Sequence, residues 1–160
     1  MLLVQTKFMH LKDITKEAIT ISADAPFYEA VTLMVEKQTN VLLVVDSEGI
    51  LTGVVSVTDL LDAVVPEYLD GDSTAAHFAS EDMFKKAVTE TKDRPVRDFM
   101  SAELTTVQKD ESLMAVAVTA ITSKRLRIPV VDEGGRPTGI ISRQGLKRII
   151  AEQLGIENSR

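Results

Sequence analysis

Cysteine is absent from the 160 residues of this chain, so neither a disulfide framework nor a thiolate metal site can form, and nothing argues for an oxidising compartment. Long apolar runs are missing too. None approaches the roughly 18 residues of a membrane span, and the N-terminal MLLVQTKF has no basic lead-in and too short an apolar stretch for a signal peptide. Positive charge is in short supply, with 18 Lys and Arg against 24 Asp and Glu and a net charge of −6. Sequence-independent nucleic-acid binding needs clustered cations that displace counterions, so that class is not expected. There are two histidines, His10 and His77, neither near a serine nucleophile motif. The chain has no Gly-x-x-x-x-Gly-Lys phosphate loop, no His-Glu-x-x-His and no Gly-x-Gly-x-x-Gly. A soluble, cytoplasmic protein with no catalytic residue and no metal site is expected.

What is present is a duplication. From Val41 the chain reads VLLVV-DSEG-ILTGVVSVTDLLDAVV, and from Ile128 it reads IPVV-DEGG-RPTGIISRQGLKRII. Asp46 matches Asp132, Gly53 matches Gly139, Ser56 matches Ser142 and Leu60 matches Leu146, each pair 86 positions apart. A fixed internal period decides architecture. Hydrophobic content of 44% beside 26% charged residues is that of a globular domain, and the length suits one domain or two small halves.

The halves follow one order. Lead-ins at 9–17 (MHLKDITKE) and 96–103 (VRDFMSAE) precede short β-like pieces, Ala18–Ile21 and Leu104–Val107. Asp24 and Asp110 are placed to cap the helices that follow. Those helices carry Phe27, Ala30, Val31, Met34 and Val35, and Leu113, Val116, Ala117, Ala120 and Ile121, at helical period. Val41–Val45 is a continuous apolar run, the pattern of a strand covered on both faces. Asp46–Gly49 and Asp132–Gly135 carry hairpin-turn residues, and Leu51–Ser56 and Pro137–Ser142 return antiparallel. A second helix closes each half, Thr58–Val65 before Pro66 and Gln144–Leu154 before Gly155. The fold class is α/β (α+β): two β-α-β-β-α repeats at 9–65 and 94–154, joined by an acidic insertion with a helix at 66–93. A half of this size sits near the lower limit for an independent core, so the two should pack on each other.

The acids of the insertion (Glu67, Asp70, Asp72, Glu81, Asp82) read as a solvated surface, since no oxygen-ligand loop of calcium-binding spacing is present. Met34, Met83, Met100 and Met114 sit at apolar positions and read as core. Chemistry gathers instead where the third strand of the first half meets its second helix. Gly53 permits close approach by a ligand or another backbone. Ser56 and Thr58 offer hydroxyls beside the free N–H groups of a helix N-terminus, which favours a phosphate. Asp59 can accept two hydrogen bonds at once, which suits the vicinal hydroxyls of a ribose. Ser, Thr and Asp are also preferred N-caps, so on this stretch alone starting a helix is the simpler role.

The tandem β-α-β-β-α unit, with G-h-h-S/T-x-x-D (h apolar) at the last strand–helix junction and Ile128-Pro129-Val130-Val131-Asp132 as an h-P-V-V-D strand, resembles the cystathionine β-synthase (CBS) domain family. The resemblance covers about residues 9–65 and 94–154. It implies two repeats packed through their sheets with pseudo-two-fold symmetry, clefts between them for an adenine-containing ligand (AMP, ADP, ATP or S-adenosylmethionine), a role in energy sensing, and homodimers. It places Asp59 on the ribose, Ser56 and Thr58 on the phosphate and ribose side, and Thr20, Ile21, Asn40, Val41 and Leu42 along the base. In the second repeat Ser142 is kept, but Gly145 stands where the acid should be. Thr106, Arg127, Ile128, Pro129, Ser142 and Arg143 would form a second, weaker cleft, the arginines facing phosphate or solvent. No cofactor is required beyond the nucleotide as regulatory ligand. Every segment is accounted for by the duplicated fold, so no catalytic domain is expected on this chain, and output passes to a separate effector protein, unless the chain is a fragment of a longer arrangement. A ligand-independent dimerisation or interaction module is the alternative.

Overall fold

A computed structural model describes residues 9–66, 69, 71, 73–125 and 127–156. Among them the elements run β1 (Thr20–Ser22), α1 (Phe27–Glu36), β2 (Val41–Val45), β3 (Leu51–Ser56), α2 (Val57–Val64), α3 (Ser73–His77), α4 (Glu81–Thr91), β4 (Val107–Gln108), α5 (Leu113–Ser123), β5 (Arg127–Val131), β6 (Pro137–Ser142) and α6 (Arg143–Gln153). Single 3-10 turns, Leu11–Asp13 and Val96–Asp98, occupy the two lead-ins. The insertion acids Glu67, Asp70 and Asp72 lie outside the described residues.

Each repeat builds the same three-stranded sheet. β1 and β4 run parallel to β2 and β5, and β3 and β6 return antiparallel. The apolar runs behave as their composition requires: Val41 to Val44 and Ile128 to Val131 are buried. The hairpin turns are duplicated in atomic detail. Asp46 Oδ1 accepts the N–H groups of Glu48 (2.8 Å) and Ile50 (3.0 Å), and Asp132 Oδ1 those of Gly134 (2.9 Å) and Arg136 (3.0 Å). Gly49 and Gly135 then take φ of 82° and 80°, a region closed to most side chains.

The chain divides into two compact units. One holds residues 19–104; the other joins the residues up to 18 to those from 105 onward. The lead-ins account for the difference from the repeats. Met9, Leu11 and Ile14 pack with Val107, Val116, Ile128 and Ile141, whereas Val96 packs with Ile21, Ala30, Leu42 and Val55. Two reciprocal backbone bonds fasten each lead-in to the last strand of its sheet: Lys16 with Ile140 at 2.9 Å, and Ser101 with Val54 at 2.9 Å. Repeats and packing units are therefore different divisions of the chain.

The helix starts differ from expectation. Asp24 and Asp110 cap nothing. The N-cap position of α1 falls two residues later, at Pro26, and the first N–H groups of the helix donate to the carbonyls of Arg94 (2.8 Å, from Phe27) and Lys92 (3.0 Å, from Tyr28). Backbone from the second lead-in thus does what a capping side chain would have done, and Asp24 pairs with Arg97 instead. α5 is capped by Ser112, whose Oγ accepts the Ala115 N–H at 3.2 Å. Val35 and Ile121, expected on the buried faces, are 72% and 77% exposed. Met34 is core and Met100 packs against it, but Met83 and Met114 are exposed. Periodicity finds an apolar stripe but cannot say how much of it its own unit covers.

Candidate functional site

At the junction of β3 and α2 the chain forms a complete capping box. The Asp59 N–H donates to Ser56 Oγ (3.4 Å), while Asp59 Oδ2 accepts the Ser56 N–H (2.7 Å) and the Ser56 hydroxyl (3.0 Å). Both residues therefore start the helix, the simpler of the two roles the sequence allowed. Asp59 Oδ1 accepts nothing from the described residues, and the side chain is only half-buried. One carboxylate oxygen is held while the other remains an available acceptor at the positive end of α2.

The register assembles most of the remaining candidates around it. Val41 pairs with Ser56, and the Val57 N–H donates to the Asn40 carbonyl at 3.3 Å, so the start of β2 lies against the start of α2. Thr20 pairs with Leu43 on the far side of β2, which puts β1 at the same end of the sheet. Thr20, Asn40 and Thr58 are exposed. Ile21, Val41 and Leu42 are buried, with Ile21 and Leu42 part of the unit's apolar core. Ile21 and Leu42 turn their side chains into that core, so only their backbone atoms are left for recognition, while Val41, next along β2, faces the other side of the sheet.

Gly53 resolves in favour of another backbone. A Cβ there would stand 2.6 Å from Met100 Sδ and 3.1 Å from the Ser101 carbonyl, so the close approach the glycine permits is that of the lead-in.

The corresponding end of the other unit repeats the framework without the acid. Arg127 pairs with Ser142 as Val41 does with Ser56, and Ser142 Oγ accepts the Gly145 N–H at 3.3 Å. Ile128 and Pro129 are buried, Thr106 and Ser142 half-buried, Arg127 and Arg143 exposed. A Cβ on Gly145 would lie 3.1 Å from the Ile14 Cβ and 3.3 Å from its carbonyl. The first lead-in crowds the space a carboxylate would need, which sequence alone could not reveal. Arg143 opens α6, where a cation opposes the helix dipole and so has no helix-starting reason to be there.

Among the described residues no group of three or more His, Cys, Asp or Glu could hold a metal ion, and no helix is long and apolar enough to cross a membrane. His10 and His77 are exposed, and His77 meets only the ring of Phe78 edge-on in the aromatic contacts. An open groove of about 640 Å³ lies at the opposite end of α2 from Asp59, between Val64 to Pro66 and the side of α4.

The duplicated sheets and capped second helices are matched by a family model. The CBS domain model fits twice, at residues 11–66 and 96–152. The chain belongs to the CBS domain family. Among characterised sequences it is similar to the chloroplastic CBS domain-containing protein CBSX2 of Arabidopsis thaliana, at 32% identity over 129 residues, 75% of this chain and 53% of that protein. The chain thus spans about half the length of that relative. A crystal structure of a CBS domain-containing protein of unknown function from Kribbella flavida superimposes with a TM-score of 0.75 at 22% identity, covering 90% of this chain and 99% of that one. CBSX2 in complex with AMP superimposes with a TM-score of 0.65 at 26% identity, covering 90% and 97%.

Proposed function

We propose that this CBS pair is a regulatory rather than catalytic module that takes an adenine-containing ligand (AMP, ADP, ATP or S-adenosylmethionine) at the start of α2. Asp59 Oδ1 receives the ribose hydroxyls, while Ser56, Thr58 and the first N–H groups of α2 face the phosphate or other 5′ substituent. Backbone of Thr20, Ile21 and Asn40 to Leu42 lies along the base. Thr106, Arg127, Ile128, Pro129, Ser142 and Arg143 form a weaker second site for an anionic group, without a ribose acid. The ligand acts by preferring one of two states of the chain, and the change is passed to a separate effector protein by a homodimer. The carrying observation is the Asp59 carboxylate, held by one oxygen and open at the other, in a fold shared with an AMP-bound relative.

Thermal unfolding tests this reading. Ligand at 100 times its dissociation constant stabilises by about 2.7 kcal/mol, a rise of roughly 5–10 °C for a chain of this size. Asp59→Ala should abolish that rise and also lower the unliganded midpoint, since it removes the Asp59 half of the capping box while Ser56 still caps α2, a loss of about 0.5–1.5 kcal/mol per hydrogen bond. Asp59→Asn keeps a capping oxygen but not the carboxylate, so its midpoint should stay near wild type while the ligand response shrinks. Gln144→Ala should change neither. If AMP, ATP and S-adenosylmethionine all leave the curve unmoved, the second reading stands, a ligand-independent interaction module. Two observations favour that alternative: Gly145 packs where an acid would sit, and the helices carry exposed apolar residues.

A further inference from the structure

The repeat offers a comparison within one chain, because the same helix face is built twice and covered once. In the first repeat α4 packs on α2, and Val64 is 7% exposed. Its counterpart 86 residues on, Ile150 of α6, is 63% exposed, and Leu154 one turn later is 70% exposed. Among the described residues of that unit the only α-helices are α5 and α6, so none takes the part of α4. The bare face has a definite chemistry. Arg143, Lys147, Ile150 and Leu154 follow one another at spacings of four, three and four, a single stripe with cations at one end and aliphatic side chains at the other.

The same chain carries a groove lined by apolar side chains, two acids, Glu81 and Glu90, and one cation, Lys86. Met83, Ala87 and Glu90 lie along one side of α4 and form a wall of the 640 Å³ groove; Val64, Val65 and Pro66 form the other. Met83 to Ala87 to Glu90 is a spacing of four then three, and so is Leu154 to Ile150 to Lys147 read backwards. With the helices antiparallel, Leu154 falls on Met83, Ile150 fits over the small Ala87, and Lys147 reaches Glu90, about 10.5 Å along at 1.5 Å per residue. Lys86 stands 3.8 Å from Glu90, but both are highly exposed and such a pair is readily exchanged.

We propose that the α6 face of one copy docks in the α2–α4 groove of a second copy of this chain. The contact joins two different surfaces, so copies associate by exchanging it or by repeating it. It rests on the self-association part of the preceding reading and not on the nucleotide part.

Sedimentation of the full chain across a dilution series is the test. Wild type should associate reversibly. Glu90→Lys and Lys147→Glu should each weaken association roughly tenfold or more, because each sets like charges opposite one another. Mixing the two variants, or combining both changes in one chain, should restore it. Both positions are exposed, so circular dichroism and any AMP-induced thermal shift should match wild type. If both single variants associate as strongly as wild type, the proposed surface is wrong while self-association stands. If wild type is monomeric at every concentration, both fall, and the face belongs to a different partner.

Discussion

Leu42→Ala is expected to lower the melting midpoint by roughly 5–20 °C, from a loss of about 2–5 kcal/mol. Leu42 is fully buried in the middle strand of its sheet, within a cluster that includes Ile21, Ala30, Met34 and Val55. Truncation removes its transfer free energy and leaves a cavity that a strand paired on both sides cannot collapse to fill. A loss of that size is a large part of the 5–15 kcal/mol that typically holds a domain together. The contrast is Ile121→Ala. Ile121 is likewise a branched aliphatic residue on a regular element, but it is 77% exposed, and its loss should fall within about 0.5 kcal/mol when the chain is dilute. Calorimetry on the two variants separates core from surface. Equal midpoints would mean that Leu42 is not where the structure puts it.

Gly139→Ala is expected to cost about 3 kcal/mol, the upper end of the overpacking range. The added Cβ would meet Thr15 Cγ2 at 2.3 Å and the Lys16 carbonyl oxygen at 2.6 Å. That carbonyl accepts the Ile140 N–H at 2.9 Å, so it cannot retreat without breaking the pair of bonds that fastens the first lead-in to β6. The equivalent change in the other repeat is the control. At Gly53 the closest atom, at 2.6 Å, is the sulfur of Met100, a side chain with three rotatable bonds, and the nearest backbone atom is 3.1 Å away. Gly53→Ala should therefore destabilise by about 1 kcal/mol, the lower end of the same range. Denaturant titration of both variants reads the difference. Equal losses would mean that the backbone at Lys16 yields as easily as the Met100 side chain.

Much of the architecture was legible because it depends on local pattern. The apolar runs, the Asp and Gly of the turns and the helical periods are properties of neighbouring residues, and they appear where expected. The two helix starts differ from expectation for different reasons: α5 has a local cap, Ser112, two residues beyond Asp110, whereas the cap of α1 is not local. Arg94 and Lys92 supply the acceptors for α1 from more than 60 residues away, and no spacing rule connects them to Phe27 and Tyr28. The site was half legible. Ser56 and Asp59 stand together because they are three apart at a helix start, a local fact. That Ile21 and Leu42 turn into the core, leaving only backbone for recognition, depends on which face of the sheet the rest of the unit covers.

By itself the sequence determined the order of the elements, since an 86-residue period with the same turn and cap residues admits one repeated unit, and the motifs at its strand–helix junctions carried the resemblance to the CBS domain family that the family model bears out. Only the tertiary structure decided which lead-in packs with which sheet, and hence what each glycine is for. Gly53 and Gly139 admit a crossing backbone and Gly145 admits Ile14. The physical reason is that a glycine declares room to be filled without naming the atom that fills it, and that atom here comes from a segment remote along the chain.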